Sequence, residues 1–417
     1  MIKPYFFLKK LPHFLQKRSL CFLNPVREVA LEEARADPLR PKVQSSFTRV
    51  LDMTVNPISW LAWRTVGACI GSLRAAKRAI KANPKLYGMI YSLRNSQEFS
   101  DLFEHEKMLA DQVRIETYAK AIERAIRPGD RVLDLGTGSG VLSILAARQG
   151  AKVYAIDHSD FIRLAEENAR HNGVQGISFI HTNSKKFKPA EKLDVILHEQ
   201  IGDNLFNENM VDNLLELKRR LLKPGGKILP GRFHLFMEPV TLHPDFRVPF
   251  MEELKPMGID FSYLAKAGRR YRAAGYNYRR LERSGVDYFL AEPQPILTVD
   301  LNEIDDLSQI PTTLEVVREV VRPGSLDGIQ QYFAVVFDEE VSFDTSPFSR
   351  RTHWTNRLFR VPQRYLAAGE TLAYRINLKD LQLSHTWQVD LLPPTSSPPV
   401  PQRPLEQLRG ATAKGTT

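Results

Sequence analysis

Three glycines at every second position, Gly136, Gly138 and Gly140, follow the acid Asp134 in the run RVLDLGTGSG that starts at Arg131. Glycine lets the backbone turn tightly and lie close against a ligand, and a helix beginning behind it offers free amides. That combination suits a nucleotide-like ligand, which leaves a redox dinucleotide, a phosphate donor and a methyl donor in play. The spacing is G-x-G-x-G rather than G-x-G-x-x-G, and G-x-x-x-x-G-K-[ST] is absent. Both facts count against a dinucleotide and against a P-loop nucleotide. Asp157 closes VYAID, where a carboxylate can accept both hydroxyls of a ribose; alone it fits NAD equally well. Another two acids, Glu199 and Glu208, bracket a loop containing Gly202 in HEQIGDNLFNEN. By themselves they read either as ligand-facing groups or as a solvated loop acid and a helix-start acid favoured by the dipole.

Residues so scattered need strands that end together. RVLDLG, KVYAID, ISFIHT, DVILHE and GKILP read as short buried strands, separated by VLSILAARQG, FIRLAEENARHNG and NENMVDNLLELKRRLLKPGG, which are helical in period and closed by glycine or Pro-Gly. Strands alternating with helices predict a parallel sheet covered on both faces, with ligands at the carboxyl ends of its strands. Beyond Pro230 the alternation stops, and ILTVDL, LEVVREVV, QYFAVVF and TLAYRINL predict an antiparallel β domain. Residues 241–290, rich in Arg, Tyr, Pro and Met, read as a long helical or irregular insertion. Its stretch RRYRAAGYNYRRLER reads as an arm or solvated face. Tyrosines among basic residues also suit nucleic acid, but no DPPY-type tetrapeptide follows the fourth strand, so nucleic acid is not expected. Residues 1–94 read as a helical extension, and the proline-rich tail from Pro393 as disordered.

A chain of 417 residues has room for two folded domains and appendages. The net charge of +10 hints only weakly at acidic partners. Cys21 and Cys69 are far apart and not set with histidines at ligand spacing, so neither a disulfide framework nor a metal site follows, and a reducing, cytoplasmic location is expected. The first 27 residues hold six Lys and Arg and no acid, which leaves organelle targeting or membrane-surface contact open. No membrane span is expected, since the most apolar stretch, 58–73, is interrupted by Arg64.

Asp134, the glycine run and Asp157 together resemble the class I S-adenosylmethionine-dependent methyltransferases, in which Ser184 stands about where the adenine is contacted. Four stretches carry a narrower resemblance, to the protein arginine methyltransferases. The Glu199 to Glu208 loop looks like their double-glutamate loop, and HEKMLADQVRIETY like the segment before their cofactor fold. KPGGKILPGR looks like the end of their α/β domain, and FDTSPFSRRTHWTNRLF like their Thr-His-Trp loop. The likeness spans roughly 97–391 in the right order. It implies an α/β fold, with a Rossmann-like methyltransferase sheet over 95–230 and an antiparallel β-barrel over 231–392. The arm at about 241–290 would give a head-to-tail homodimer.

By the same resemblance, Glu199 and Glu208 clamp the acceptor on a protein or peptide, and His353 pairs with Asp111 beside them. Arg114 holds the carboxylate of S-adenosyl-L-methionine with His105 and Met108 nearby, while Asp134, Gly136, Gly138, Gly140, Asp157, Ser184 and Glu199 line the rest of its site. The chemistry is consistent. A guanidinium is a poor nucleophile with a pKa above about 12. Two carboxylates can hold it in plane, draw its charge away from one nitrogen and aim that nitrogen at a methyl. The chain departs from the family where Gln200, Ile201, Asp203 and Asn207 replace a Trp, a Met and two Tyr, which removes aromatic walls. Such a pocket leaves a non-arginine or small-molecule acceptor as an alternative, as well as a weakly active binding or scaffold protein of the same fold. A nicotinamide oxidoreductase is disfavoured by the glycine spacing.

Overall fold

The computed structural model describes residues 101–272 and 275–393. The helical extension expected over 1–94, and all but the first residue of the tail expected from Pro393, lie outside the described residues.

Two helices come first, α1 (Leu102–Ala110) and α2 (Gln112–Ala125). The second turns Arg114, Tyr118, Ala121 and Ile122 inward, one stripe of a 3.6-residue period. Next come β1 (Arg131–Leu135), α3 (Val141–Arg148), β2 (Lys152–Asp157), α4 (Phe161–His171), β3 (Ile177–His181), β4 (Leu193–His198), α5 (Met210–Leu221) and β5 (Leu222–Leu229). The five strands are parallel in the order β3-β2-β1-β4-β5. The order reverses beside β1, and that reversal opens a crevice at the carboxyl edge. Leu135 is level with Ile156 on one side and His198 on the other, and Asp157 is level with His181. Gly136, Asp157 and Glu199 therefore leave the sheet within about one residue of each other. The KPGG expected to close a helix lies inside β5 instead, because the residue before a proline disfavours helical backbone and α5 has already ended at Leu221.

The antiparallel part contains β6 (Arg232–Leu242), β7 (Tyr278–Leu281), β8 (Val286–Phe289), β9 (Leu297–Asp300), β10 (Thr313–Glu319), β11 (Gly324–Val336), β12 (Ser342–Asp344), β13 (Asn356–Leu366), β14 (Thr371–Asn377) and β15 (Gln388–Leu391). One sheet runs β7-β13-β11-β6-β8 with β9 on β6 and β12 on β11; the other is β10-β14-β15. The insertion is narrower than 241–290. The sheet reaches Leu242 and resumes at Tyr278, and the described residues between hold short 3-10 turns and one short helix, α6 (Ser262–Ala267).

The larger hydrophobic core runs without a break from Leu133 and Ile196 of the parallel sheet, through Phe206, to Phe233 and Phe333 of the antiparallel one. Phe206 belongs to the loop between Glu199 and Glu208, so that loop is rooted in the core; truncating such a side chain costs about 3–5 kcal/mol. Among the described residues no helix is long and apolar enough to cross a membrane.

Candidate active site

Asp134 sits one residue before the end of β1 and is buried. Its Oδ2 accepts from Thr137 Oγ1 at 2.7 Å and Ser143 Oγ at 2.6 Å, which ties the glycine turn to the first turn of α3. Burial pushes its carboxyl up to about 6, outweighing the lowering by the two hydroxyls. Two glycines of the turn are required by their surroundings. Gly138 has φ +51° and a Cβ there would stand 3.0 Å from His105 Cε1; Gly140 has φ +83° and its Cβ would stand 3.2 Å from that of Ala165. His105, on α1, stacks on Phe161 with ring centroids 3.8 Å apart. Asp157 Oδ2 accepts from the Gly138 amide at 3.1 Å, and Oδ1 accepts from the Ser159 amide and hydroxyl at 2.8 Å each. A carboxylate has about four acceptor positions, so capacity for a ribose hydroxyl remains.

Asp111 caps α2, its Oδ1 accepting from the Arg114 amide at 3.1 Å. Oδ2 accepts from the His353 amide at 2.9 Å and from His353 Nδ1 at 2.8 Å. Burial alone would raise this carboxyl, but the His353 bonds and the Arg114 amide together hold it below the ordinary carboxylate value. Arg114, buried one turn on, donates from Nη2 to the Met108 carbonyl at 2.8 Å and sets Nη1 3.2 Å from Glu199 Oε2. Its Nε is buried with no partner. Asp111, Arg114, Glu199 and His353 are thus joined by direct contacts, and Met108 by its carbonyl.

Glu199 follows β4 directly, and the residue before it was not anticipated from sequence as part of the site. His198 is fully buried, with Nε2 2.9 Å from the Pro230 carbonyl and Nδ1 accepting from the Gln200 amide at 3.3 Å. Burial pushes its pKa down to about 4, so the ring is neutral with its proton on Nε2. The Tyr118 hydroxyl donates to the His198 carbonyl at 3.0 Å, and Trp354 Nε1 donates to the Ile201 carbonyl at 2.8 Å. Farther along, Asn204 Oδ1 accepts from the Tyr278 hydroxyl at 2.6 Å and Arg357 Nε at 3.0 Å, while Arg357 Nη2 pairs with Asp203 at 2.9 Å. Leu205 (φ +73°) and Asn209 (φ +54°) are left-handed without being glycine, strain of about 1–3 kcal/mol each that the anchored loop must overcome. Glu208 is half-buried two residues before α5.

Three polar residues that replace family aromatics are wired into this framework. Gln200 Oε1 accepts from Asn213 Nδ2 at 2.7 Å, and Asn213 Oδ1 accepts from Ser184 Oγ at 3.2 Å, which links Ser184 to the glutamate loop. Asp203 has Arg357, and Asn207 Oδ1 accepts from the Asn204 amide at 3.1 Å. A side chain at Gly202 would collide with Asn207. A histidine inside an apolar strand was a usable signal for His198; Arg357 and Tyr278 gave none locally.

Residues 117–231 match the family of ribosomal protein L11 methyltransferases (PrmA). Protein arginine N-methyltransferase 6 of Danio rerio is 32% identical over 273 residues, which cover 61% of this chain and 75% of that relative. The chain belongs to the protein arginine N-methyltransferase family. The PRMT1 enzyme-prozyme heterotetrameric complex of Trypanosoma brucei, solved with AdoHcy, is similar at 26% identity and a TM-score of 0.56 over 67% of this chain and 88% of that one. Protein arginine methyltransferase 10 of Arabidopsis thaliana shares the fold, with 23% identity and a TM-score of 0.59 over 73% of this chain and 97% of that one. The protein is accordingly an S-adenosylmethionine-dependent methyltransferase. The crevice fits that cofactor: the orphaned Arg114 Nε is a buried cationic donor suited to a carboxylate, and the glycine turn beside Asp157 is suited to a nucleoside.

Proposed function

We propose that this protein arginine N-methyltransferase holds the guanidinium of a protein or peptide acceptor between Glu199 and Glu208 and releases its proton toward His353. The observation that carries this reading is the unbroken run of contacts from Glu199 through Arg114 and Asp111 to His353. S-adenosylmethionine, when bound, supplies an electrophilic methyl on a sulfonium. The chain's own part is placement and charge. Arg114 pairs with Glu199 and holds it in place, and Glu199 with Glu208 offsets the repulsion between acceptor and donor cations. Asp111 accepts the Nδ1–H hydrogen bond of His353, which leaves Nε2 to accept the proton that the methylated nitrogen loses. The hydrogen-bonded Gln200, Asp203 and Asn207 hold the loop in shape where aromatic walls are lacking. Full chain incubated with labelled S-adenosylmethionine is expected to label an arginine-containing peptide and not the same peptide with lysine at that position; the reverse preference overturns the reading.

The homodimer belongs to the same reading, together with closure of the two antiparallel sheets into the family's barrel. Support for the dimer lies in apolar side chains left outside. Met257 (96% exposed) and Tyr263 (76%) stand on the insertion, and Leu102 (61%) and Phe103 (60%) on α1. Large apolar side chains left exposed on an inserted arm suit a protein contact. Sedimentation equilibrium is expected to give a dimer that Met257→Glu with Tyr263→Glu dissociates; a wild-type monomer at micromolar concentration refutes it.

A further inference from the structure

A cleft of about 270 Å³ lies where the insertion leaves β6, away from the crevice. Its floor is apolar, with Leu242, Leu281 and Leu358 forming a small hydrophobic cluster of their own beside Phe246. Its rim carries Arg247, Arg279 and Arg360 against one acid, Asp327. That acid is already engaged. Oδ1 faces Arg247 Nε at 3.0 Å and Oδ2 accepts from the Leu242 amide at 3.0 Å. Arg247 also reaches Glu253. The others on the cleft face donate to neutral carbonyls, Arg360 to Val248 and Pro249 and Arg279 to Gly275 and Tyr278, while the exposed Arg280, level with Arg357, leaves on the opposite face. A carbonyl satisfies an N–H but leaves the charge in place, so Arg279 and Arg360 keep the cleft positive.

We propose that this cleft binds an acidic peptide segment, seating an apolar side chain on Leu242, Leu281 and Leu358 and flanking carboxylates on Arg279 and Arg360. Guanidinium forks match carboxylates in two-bonded geometry, and the apolar floor gives an adjoining side chain somewhere to go. The volume is just under the roughly 300–1,000 Å³ of clefts that enclose whole small molecules, so it suits a side chain or two. Nucleic acid is the poorer match, since single strands stack bases on open aromatic faces and Arg360 lies over Phe250 at 4.1 Å. The position also has a consequence for the active site. Side chains alternate across the β7–β13 ribbon, where Leu358 pairs with Arg279 and Arg357 with Arg280. Tyr278 and Arg357 hold the glutamate loop, and Arg279 and Arg360 line the cleft from the same two strands.

The test reads binding alone and so does not depend on the methyl acceptor. Labelled acetyl-Glu-Asp-Leu-Phe-Glu-Asp-amide is titrated into the full chain by fluorescence anisotropy, beside its lysine-for-acid counterpart and a single-stranded oligoribonucleotide. Saturable binding of the acidic peptide is expected, weakened about tenfold or more by Arg279→Glu with Arg360→Glu and weakened by salt. A melting temperature matching wild type certifies that variant, and Arg279→Gln alone serves in its place if it fails to fold, with a smaller loss expected. Absence of saturation up to about 1 mM, undiminished affinity in the folded variant, or tighter binding of either control ligand overturns the proposal.

Discussion

His198 and Asp134 lie on the neighbouring strands β4 and β1, and burial moves their titrations in opposite senses, so pH separates them. His198 falls from 6.5 to about 4 on folding. Below pH 6.5 the unfolded chain binds a proton that the native ring refuses, so stability drops as pH falls toward 4. At about 1.4 kcal/mol per pH unit the loss comes to about 3 kcal/mol. Asp134 rises from 3.8 to about 6. Its native form binds the proton first, so the burden of an ionised buried carboxylate, again about 3 kcal/mol at pH 7, is relieved as pH falls from 6 to 3.8. In the wild type the two effects nearly cancel. His198→Gln keeps a donor for the Pro230 carbonyl and removes the titration; it should therefore gain about 3 kcal/mol relative to wild type between pH 7 and 4. Asp134→Asn should lose a similar amount over the same range. Urea unfolding followed by circular dichroism at closely spaced pH values, plotted as variant minus wild type, lets unrelated carboxylates cancel. Parallel curves for either variant would refute the reasoning.

Three further outcomes follow from particular contacts. Asp111→Asn turns an NH2 toward two donors of His353, and urea unfolding at pH 7 should show a loss of about 2–4 kcal/mol. With its pKa depressed, the wild-type Asp111 contribution should be complete above the ordinary value of 3.8 and fade only at lower pH. Gly138→Ala meets both a left-handed backbone and the His105 ring, so calorimetry with S-adenosylhomocysteine should show at least about tenfold weaker binding, at a stability cost of only about 1–2 kcal/mol. Arg357→Ala frees Asp203 and Asn204, and steady-state kinetics should show kcat falling about tenfold or more while affinity for S-adenosylhomocysteine holds.

The glycine turn and Asp157 were legible because strand, turn and helix that make them a site are adjacent in sequence. Glu199 was legible as a loop acid, but its ion pair with Arg114 depends on how α2 packs over the sheet edge, which periodicity does not give. The framework beneath the loop was invisible for the same reason. Arg357 and Tyr278 reach Asp203 and Asn204 across 154 and 74 residues, and no local pattern marks them. The insertion was drawn too wide because YRRL, a sheet-edge strand, carries charges where a buried strand would show apolar residues. Polar replacements at Gln200, Asp203 and Asn207 read from sequence as lost walls; in the structure each has a hydrogen-bonding partner.

The account rests on two glutamates gripping one guanidinium, and the most direct measurement is mass spectrometry of a glycine-arginine repeat peptide after single turnover by wild type, Glu199→Gln and Glu208→Gln. Wild type should place methyl on an arginine nitrogen, and Glu208→Gln should slow that step by about 100-fold or more while binding S-adenosylhomocysteine normally. Methylation of the arginine at the wild-type rate by both variants would contradict it.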